Sequence, residues 1–346
     1  MFALKKKIFI SQRIVKIAVC FLIVTALVAS VVFAVSQKRY AEVAVDAKNE
    51  KTNYNFLLLG VDRSKRLSDV IMLASLDIEK ERVTVAQIPR DTYAEYTSAA
   101  YRKLNGAVSA LDGGRSVADF LERIFEINID YYVTLDLDAM AKIVDSLGGV
   151  EVTIPENMEY EDCSQGLSIK LEAGKQLLDG DKAMQFIRYR AGYVRGDLAR
   201  LDAQKIFLAA LFDKIVSSGA TDIVEVAQNL LSYSKSDIPL IECIKIVSKA
   251  TKFKSGEVWL LTMPGSDVKT GGGTWYYILN KKETYNVLHQ YFGCEAEYTE
   301  FDRERALTGE YSKEFNNIYD ADSGYECHVY SAEAINSEGI RIEKTN

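Results

Sequence analysis

The chain has 346 residues, of which 48% are hydrophobic and 26% are charged, and this composition is typical of globular proteins rather than disordered or fibrous ones. Its two histidines, His289 and His328, exclude a histidine-cluster metal site and disfavour a nucleophile that depends on a histidine base. The net charge of −7 comes from residues 295–346, which hold 13 acidic and 5 basic residues. The remainder is nearly neutral and lacks the basic surface of a nucleic-acid-binding protein.

The N-terminal region contains one strongly apolar segment. Residues 17–35 carry no charge and, at about 1.5 Å per residue, would cover about 28 Å, close to the thickness of the hydrocarbon core of a bilayer. Residues 1–16 form a basic tail, so the positive-inside rule predicts a single-pass protein of the cell membrane with its N-terminus in the cytoplasm. Residues 36–53 are then an extracytoplasmic stalk. A cleaved signal peptide is the alternative, since residues 34–36 resemble a cleavage site.

Beyond the stalk, strand-like and helix-like segments alternate. The apolar runs at 55–61 and 70–76 are typical of strands that are covered on both faces. Further strands are predicted at 82–88, 131–135, 150–154 and 258–262, and helices at 116–125, 138–147, 181–187, 200–217, 240–251 and 282–292. This alternation predicts one extracytoplasmic α/β domain over residues 54–293, with a mixed central sheet flanked by helices, and an acidic C-terminal extension at 294–346.

The cysteines give little information about a site. The five are Cys20, Cys163, Cys243, Cys294 and Cys327. Those outside the apolar segment are far apart and include no Cys-x-x-Cys pair, so a zinc site is not expected. A disulfide is permitted outside the cell, and Cys294 with Cys327 is the first pair to consider because it would fasten the extension. The sequence does not fix this connectivity.

Two aspartates stand at neighbouring strand ends. Asp62 follows the first buried strand and Asp69 stands at the head of the second, so both are expected at one edge of the sheet, where ligand sites of α/β proteins form. Paired carboxylates without a histidine suit Mg²⁺, which takes oxygen ligands and retains waters. An ordinary solvated loop with two turn-forming aspartates is the alternative.

Several arginines follow later elements. Arg90 ends the third strand next to Asp91, and Arg188 and Arg190 flank a tyrosine just after a helical run. On the next helix, Asp197, Arg200 and Gln204 share one face. The guanidinium group matches phosphate oxygens with two parallel hydrogen bonds, so several arginines around a carboxylate pair would suit a pyrophosphate. Surface ion pairing is the alternative for each arginine taken alone.

Together these segments resemble the LytR-CpsA-Psr family. The resemblance rests on several segments that occur in the family's order between residues 54 and 292. They are Phe56-Leu-Leu-Leu-Gly-Val-Asp62, Ser68-Asp-Val-Ile-Met-Leu73, Ile88-Pro-Arg-Asp-Thr92, Lys103-Leu-Asn105, Val144-Asp-Ser-Leu-Gly-Gly-Val-Glu-Val152, Arg188-Tyr-Arg190, and Gly196-Asp197 through Arg200 and Gln204. The single N-terminal apolar segment agrees with the membrane anchoring of the family.

The resemblance implies a transferase that works outside the membrane. Such a protein moves an anionic glycopolymer, teichoic acid or capsular polysaccharide, from undecaprenyl pyrophosphate to a peptidoglycan hydroxyl. Its α/β domain has an apolar pocket for the polyprenyl chain, with arginines and Mg²⁺ at the mouth. The implied class is an Mg²⁺-dependent phosphotransferase whose partners are the lipid-linked polymer, peptidoglycan and the membrane, with no nucleic acid.

The resemblance also assigns roles to residues. It implies that Asp62 and Asp69 bind the metal, and that pyrophosphate is held by Arg90, Arg188, Arg190, Arg200 and Gln204. Asp91, or Asp62 itself, is expected to act as a base or orienter toward the acceptor hydroxyl. Two positions depart from the pattern, because many members have arginine where this chain has Leu67 and Ala203.

The expected mechanism is electrostatic. Arginines and Mg²⁺ would stabilise the negative charge that builds as the lipid pyrophosphate departs, without a covalent enzyme intermediate. Two other functions stay open at this stage. A membrane-anchored protein that binds lipid-linked polymer without catalysis is one, and the missing arginines at 67 and 203 give it weight. A polyprenyl-pyrophosphate phosphohydrolase, in which water is the acceptor, is the other.

Overall fold

A computed structural model describes the domain that follows the N-terminal region. It covers residues 51–62, 64, 66–94, 96, 103–162, 167–193, 197–217, 228, 230–250, 253–269, 272–298 and 327–340. The predicted basic tail, the membrane span at 17–35 and almost all of the stalk lie outside these residues. Within the described ranges no helix is long and apolar enough to cross a bilayer.

A seven-stranded sheet forms the centre of the domain. Its strands are β1 (Asn53–Val61), β2 (Ser68–Asp77), β3 (Arg82–Gln87), β4 (Tyr131–Asp136), β9 (Ser234–Ser236), β10 (Val258–Thr262) and β13 (Val329–Ser331), in the spatial order β13-β10-β3-β2-β1-β4-β9. β1 pairs in parallel with β4, and β3 with β10, whereas the other neighbours are antiparallel. The predicted mixed α/β fold is therefore confirmed.

Helices cover both faces of this sheet. They are α1 (Ala107–Ala110), α2 (Gly114–Phe125), α3 (Leu137–Ser146), α4 (Gly180–Arg188), α5 (Asp197–Val216), α6 (Leu240–Ala250), α7 (Lys281–Tyr291) and α8 (Ala332–Glu338). Along β1, Leu57, Leu59 and Val61 are buried in one apolar cluster with side chains of α2 and α7. Side chains of α4 and α5 form the second cluster with Val258 and Leu260 of β10. The period-2 alternation of strands explains how one sheet supplies both cores.

Three small antiparallel pairs extend from the central sheet. β5 (Val150–Ile154) pairs with β8 (Gly174–Leu178), β6 (Met158–Asp162) with β7 (Leu167–Leu171), and β11 (Gly265–Lys269) with β12 (Trp275–Leu279). Buried Ile154, Met158 and Ile169 join the β5–β8 and β6–β7 pairs to the core that contains α4 and α5. The β6–β7 pair matters for the site, because it supplies part of its apolar wall.

Two helices begin earlier than the sequence suggests. α2 starts at Gly114 rather than Ser116. Gly114 lies close to β4, because a Cβ there would lie 2.4 Å from the Tyr132 ring. α5 starts at Asp197 rather than Arg200, which places Asp197 in its first turn, where a carboxylate is favoured by the helix dipole.

Part of the C-terminal extension packs on the domain. β13 pairs with β10 at the edge of the sheet, and α8 buries Ala332 and Ile335 in the core that contains α4 and α5. The predicted domain boundary at residue 293 stays a prediction, but residues 327–340 beyond it belong to the packed structure. The extension thus supplies β13 as the outermost strand of the sheet, next to β10.

The predicted disulfide is wrong. Cys294 and Cys327 are free thiols in the structure. Cys294 is buried in the core beside α2, with Glu126 near its thiol. The Cys327 thiol instead points to the carbonyl of Thr262 at 3.9 Å. The extension is held by strand pairing and apolar contacts rather than by a covalent link.

Candidate functional site

A cavity of about 420 Å³ opens where β1 ends and β2 begins. It brings together side chains from residues 62 to 204 of the chain. Its lining residues are Asp62, Ser64, Leu67, Asp69, Val70, Arg90, Tyr160, Leu167, Ile187, Arg188, Arg190, Arg200 and Gln204. We call it the arginine cavity, because four arginines line it.

Asp62 is fixed by the loop that follows it. One carboxylate oxygen accepts hydrogen bonds from the backbone N–H groups of Arg66 (3.0 Å) and Leu67 (3.3 Å). The other accepts a 2.6 Å bond from the hydroxyl of Ser64. The loop therefore fixes the orientation of this carboxylate at the edge of the cavity, which Asp62 lines.

Asp69 and Arg90 meet because β2 and β3 are antiparallel. The start of β2 lies beside the end of β3, and Arg90 Nη1 donates a 2.8 Å hydrogen bond to Asp69 Oδ1. Burial alone would lower the pKa of Arg90, but the carboxylates of Asp197, Asp69 and Asp91 outweigh it and the pKa is raised. Arg90 is therefore a permanent positive charge at the cavity wall.

Asp197 joins two of the arginines. Its Oδ1 lies 3.4 Å from Arg90 Nε and 2.9 Å from Arg200 Nη2, distances of ion pairs. The angles at these contacts are not those of hydrogen bonds, and Arg90 Nε, Arg200 Nε and Asp197 Oδ1 are buried without a hydrogen-bond partner among the described residues. Asp197 therefore offsets part of the positive charge of Arg90 and Arg200 through close ion pairs rather than through hydrogen bonds.

Arg200 is the most deeply placed of these side chains. It is 6% exposed, and its Nη2 donates a 3.4 Å hydrogen bond to the carbonyl of Asp69. Burial lowers its pKa and Asp197 raises it, and the nearby positive charges of Arg90 and Arg190 add to the lowering, so the net direction is down. This crowding of positive charge would be relieved by an anion.

Arg188 and Arg190 reach the cavity from the end of α4. Arg188 is the last residue of the helix, and Tyr189 after it is extended. Tyr189 is buried and packs edge-on against Tyr193, with ring centroids 5.2 Å apart. Because Tyr189 turns inward, the arginines on either side both line the cavity, which is the geometry expected for an extended Arg-Tyr-Arg.

Gln204 belongs to a network of hydrogen bonds. Its Nε2 donates to the carbonyl of Ile187 at 3.3 Å, and its Oε1 accepts from Gln87 Nε2 at 3.4 Å. Gln87 in turn accepts from the hydroxyl of Thr262. This network fixes the orientation of the Gln204 side chain, which is buried, and connects it to β3 and β10.

One wall of the cavity is apolar. It is made by Leu67, Val70, Tyr160, Leu167 and Ile187. Leu67 is 40% exposed at the edge of this wall. A cavity with cations on one side and hydrocarbon on the other fits an amphipathic ligand with an anionic head.

The structure places seven predicted site residues around one cavity. They are Asp62, Asp69, Arg90, Arg188, Arg190, Arg200 and Gln204. Asp91 is not among the lining residues, and its carboxylate forms an ion pair with Lys103 at 3.1 Å. Ala203 is fully buried in the core that contains α4 and α5 and faces away from the cavity. The chemical roles assigned to these residues stay predictions.

Some contributions were not anticipated from the sequence. The apolar wall from Tyr160 and Leu167 comes from the β6–β7 pair, and no motif marks it. The sequence places Asp197 on one helix face with Arg200 and within a family motif, but its second contact, to Arg90, depends on the fold. The three-residue spacing from Asp197 to Arg200 was the available signal.

The carboxylates of the arginine cavity are the candidate ligands for Mg²⁺. Among the described residues, no group of three or more His, Cys, Asp or Glu side chains is arranged to hold a metal ion. Asp62 and Asp69 line the same cavity, and Mg²⁺ is usually held by one or two carboxylates together with phosphate oxygens and waters. The residues therefore fit Mg²⁺ as an ion shared with a bound phosphate group.

Comparison with known sequences gives one family and several relatives. The model of the LytR_cpsA_psr family matches residues 23–292. Bacillus subtilis (strain 168) TagV, named a polyisoprenyl-teichoic acid–peptidoglycan teichoic acid transferase, is 29% identical over 244 residues, 67% of this chain and 61% of TagV. The chain thus spans less than two thirds of TagV. A TagU of Oceanobacillus iheyensis with the same activity in its name is 29% identical over 254 residues, 70% of this chain and 77% of TagU.

Solved structures show the same fold. The crystal structure of B. subtilis TagV has a TM-score of 0.62 at 24% identity and covers 71% of this chain and 100% of its own. A structure of TagT bound to LIIa-WTA has a TM-score of 0.57 at 25% identity and covers 69% of this chain and 89% of its own.

Proposed function

Because this chain belongs to the LytR_cpsA_psr family, we propose that it transfers a teichoic-acid-like glycopolymer from a polyisoprenyl pyrophosphate carrier to peptidoglycan. The observation that carries the proposal is the arginine cavity, in which four arginines and two carboxylates face an apolar wall. This combination suits a ligand with a diphosphate head and a hydrocarbon tail. The transferase activity named for TagV and TagU, and the TagT structure with bound LIIa-WTA, support the same substrate class.

The reaction is a phosphoryl transfer. An acceptor hydroxyl of peptidoglycan attacks the phosphorus that carries the polymer, a new P–O bond forms, and the P–O–P bond to the lipid phosphate breaks. The hydroxyl proton is lost, and the products are a polymer–peptidoglycan phosphodiester and a polyisoprenyl monophosphate. The departing group in this reaction is therefore the lipid monophosphate and not the whole pyrophosphate.

The arginines bind and stabilise charge. Asp197 forms ion pairs with both Arg90 and Arg200. These two arginines would bind the non-bridging oxygens of the pyrophosphate. Arg188 and Arg190, which also line the cavity, would add further positive charge around it. Their positive charge is already in place when charge builds on the departing phosphate, so little reorganisation is needed. Arg90 cannot lose its proton at physiological pH, which keeps this charge constant.

A carboxylate receives the proton. Asp62 is the stronger candidate than Asp91, because Asp62 lines the cavity and Asp91 pairs with Lys103 outside it. Asp62 and Asp69 would hold Mg²⁺, which supplies charge neutralisation to the bound phosphates when present. We also propose that residues 17–35 anchor the chain in the cell membrane with the domain outside, where peptidoglycan is found.

The test uses the full chain in detergent with a synthetic lipid-linked polymer and a soluble peptidoglycan oligomer. Arg188→Ala is expected to reduce transfer by about 10²- to 10³-fold, as for the loss of one donor to a developing oxyanion. Arg123→Ala is the matched control, since Arg123 lies on the exposed face of α2 and does not line the arginine cavity. Transfer by Arg188→Ala at the wild-type rate would refute the role of the arginines.

The same assay separates the alternative functions. Lipid monophosphate released equally with and without the peptidoglycan oligomer would identify a hydrolase. Binding of the lipid-linked polymer with no release at all would identify a non-catalytic binder. We expect release that depends on the acceptor, because the four arginines retained in the cavity are the groups that a transferase needs.

A further inference from the structure

Two polar side chains connect the arginine cavity to the interior of the sheet. Gln87 is the last residue of β3 and Thr262 is the last residue of β10, and the two are partners in the parallel pairing of these strands. Gln87 is 1% exposed and is not among the residues that line the cavity. Its side chain contacts Gln204, which does line it. The sequence motifs assign no role to Gln87.

The hydrogen bonds of this network run in one direction. The carbonyl of Ile187 can only accept, so Gln204 turns Nε2 toward it, at 3.3 Å. Gln204 Oε1 then needs a donor, and Gln87 Nε2 supplies it at 3.4 Å. Gln87 Oε1 in turn accepts from the hydroxyl of Thr262 at 3.4 Å. The backbone carbonyl at one end of the network thus fixes the orientation of both amides.

The carbonyl that ends the network belongs to a helix terminus. Ile187 is the penultimate residue of α4, and the last four carbonyls of a helix have no partner inside the helix. The bond from Gln204 satisfies one of them. The next residue is Arg188, after which the chain becomes extended. The network therefore restrains the backbone that carries Arg188, one of the residues that line the cavity.

The exact placement of Arg188 matters for a phosphate ligand. A guanidinium forms two parallel hydrogen bonds with phosphate oxygens only over a narrow range of distances and angles. A misplacement of about 1 Å can cost about 100-fold in rate. Helix ends fray more readily than helix interiors, so an arginine at the last position of α4 needs support from outside the helix. The buried amides supply that support.

We propose that Gln87 is a positioning residue for Arg188. It acts through Gln204, whose amide holds the carbonyl of Ile187, while Thr262 orients the Gln87 amide. The inference rests on the proposed function for the identity of the ligand, a polyisoprenyl diphosphate. Gln87 does not touch this ligand. Its removal loosens the end of α4, so it weakens binding of the diphosphate donor and leaves binding of the acceptor unchanged.

The test measures binding of farnesyl diphosphate, which has a diphosphate head and a short isoprenoid tail, to the full chain in detergent by titration calorimetry. Gln87→Met keeps the length of the side chain without its donor and acceptor, and it is expected to raise Kd about tenfold. The Michaelis constant for the lipid-linked donor should rise by a similar factor, and that for the peptidoglycan oligomer should not change. An unchanged Kd in Gln87→Met would overturn the proposal.

Gln176→Met is the matched control. Gln176, on β8, also donates its side-chain amide to a backbone carbonyl, that of Glu172, but it does not line the cavity. It is expected to bind farnesyl diphosphate as the wild type does. If Gln87→Met fails to fold, Thr262 decides. Thr262→Ser keeps the hydroxyl and should bind normally, whereas Thr262→Val has the same shape without the donor and should weaken binding about threefold or more. Equal binding by these two variants would overturn the proposal.

A double-mutant cycle tests whether Gln87 acts through Arg188. If it does, adding Gln87→Met to Arg188→Ala should change the Kd for farnesyl diphosphate by no more than about twofold, because the arginine that it positions is already gone. A tenfold effect of Gln87→Met in the Arg188→Ala background would show that the two residues act independently, and the proposal would fail.

Hydrogen exchange keeps this inference apart from the proposed function. At the end of α4 the N–H of Tyr189 donates to the carbonyl of Gln185 at 3.1 Å, and this amide should exchange about tenfold faster in Gln87→Met and normally in Gln176→Met. If Arg188→Ala transfers polymer normally while Gln87→Met loosens the helix end, the transfer mechanism fails and the support of α4 stands. If Arg188→Ala loses transfer and Gln87→Met changes neither exchange nor farnesyl diphosphate binding, only the positioning role fails.

Discussion

Asp197 Oδ1 lies 2.9 Å from Arg200 Nη2, one helical turn along α5. The same oxygen lies 3.4 Å from Arg90 Nε, so one carboxylate positions two arginines that are 110 residues apart in sequence. Both guanidiniums also contact Asp69, Arg90 through the carboxylate and Arg200 through the backbone carbonyl. Asp197 is therefore a positioning residue rather than a ligand of the pyrophosphate.

Asp197→Asn is expected to reduce transfer by about 10- to 100-fold, because the two ion pairs that position Arg90 and Arg200 lose their negative charge. The neutral amide keeps the shape of the side chain but no longer holds two cations. We expect the effect mainly in the Michaelis constant for the lipid-linked donor. Asp181→Asn, on the exposed surface of α4, is the control. Unchanged donor affinity in Asp197→Asn would contradict the positioning role.

Lys205 is expected to be important for stability. It is 3% exposed, and its ammonium forms a 2.7 Å ion pair with Asp202 and lies 5.8 Å from the Tyr330 ring centroid. Lys205→Met should lower the free energy of unfolding by about 3 kcal/mol, because it leaves the Asp202 carboxylate without its partner in a largely buried place. The double variant Lys205→Met, Asp202→Leu should recover most of the loss. Urea unfolding followed by tryptophan fluorescence measures both, and a double variant as unstable as the single one would argue against this account.

Asp77 should make stability depend on pH. Burial raises the pKa of its carboxyl, but the hydrogen bonds from Lys80 and the charges of Lys80 and Arg82 outweigh this effect and hold the pKa below its usual value of 3.8. The resulting stabilisation is complete above pH 3.8 and is lost as the pH falls through the lower, folded-state pKa.

Comparison of the wild type with Asp77→Asn tests this dependence of stability on pH. At neutral pH the variant should be less stable by about 1 kcal/mol, since the N–H of Lys80 keeps its acceptor and only the charged contacts are lost. The difference should shrink below the usual carboxyl pKa of 3.8, where the wild-type carboxyl also becomes neutral. A difference that stays constant with pH would show that charge is not its cause.

The cysteine thiols should be unreactive in the folded protein. Burial raises the pKa of Cys243 to about 11 and also raises the pKa of Cys294, and only a thiolate reacts rapidly. We expect iodoacetamide at pH 8 to leave both unmodified until the protein unfolds. Under denaturing conditions without reductant, mass spectrometry should find Cys294 and Cys327 alkylated. Recovery of a peptide joined through these two residues would instead show a disulfide.

The sequence contained most of the information about the elements. Continuous apolar runs marked β1 and β2, and the amphipathic periods marked α3 to α7 within a few residues. The errors occurred where a long-range contact decides the local structure. At Gly114, the first residue of α2, the helix packs directly against Tyr132, and a contact with a residue 18 positions away leaves no trace in the local pattern.

The sequence alone determined the types of chemical groups available to this protein: arginines, two strand-end aspartates and almost no histidine, in an order that identifies the family. Tertiary structure decided which of those groups share a space. Asp91 is next to Arg90 in sequence yet pairs with Lys103, whereas Asp197, 107 positions from Arg90, contacts it. The reason is that side-chain direction is set by strand pairing and helix packing across the sheet.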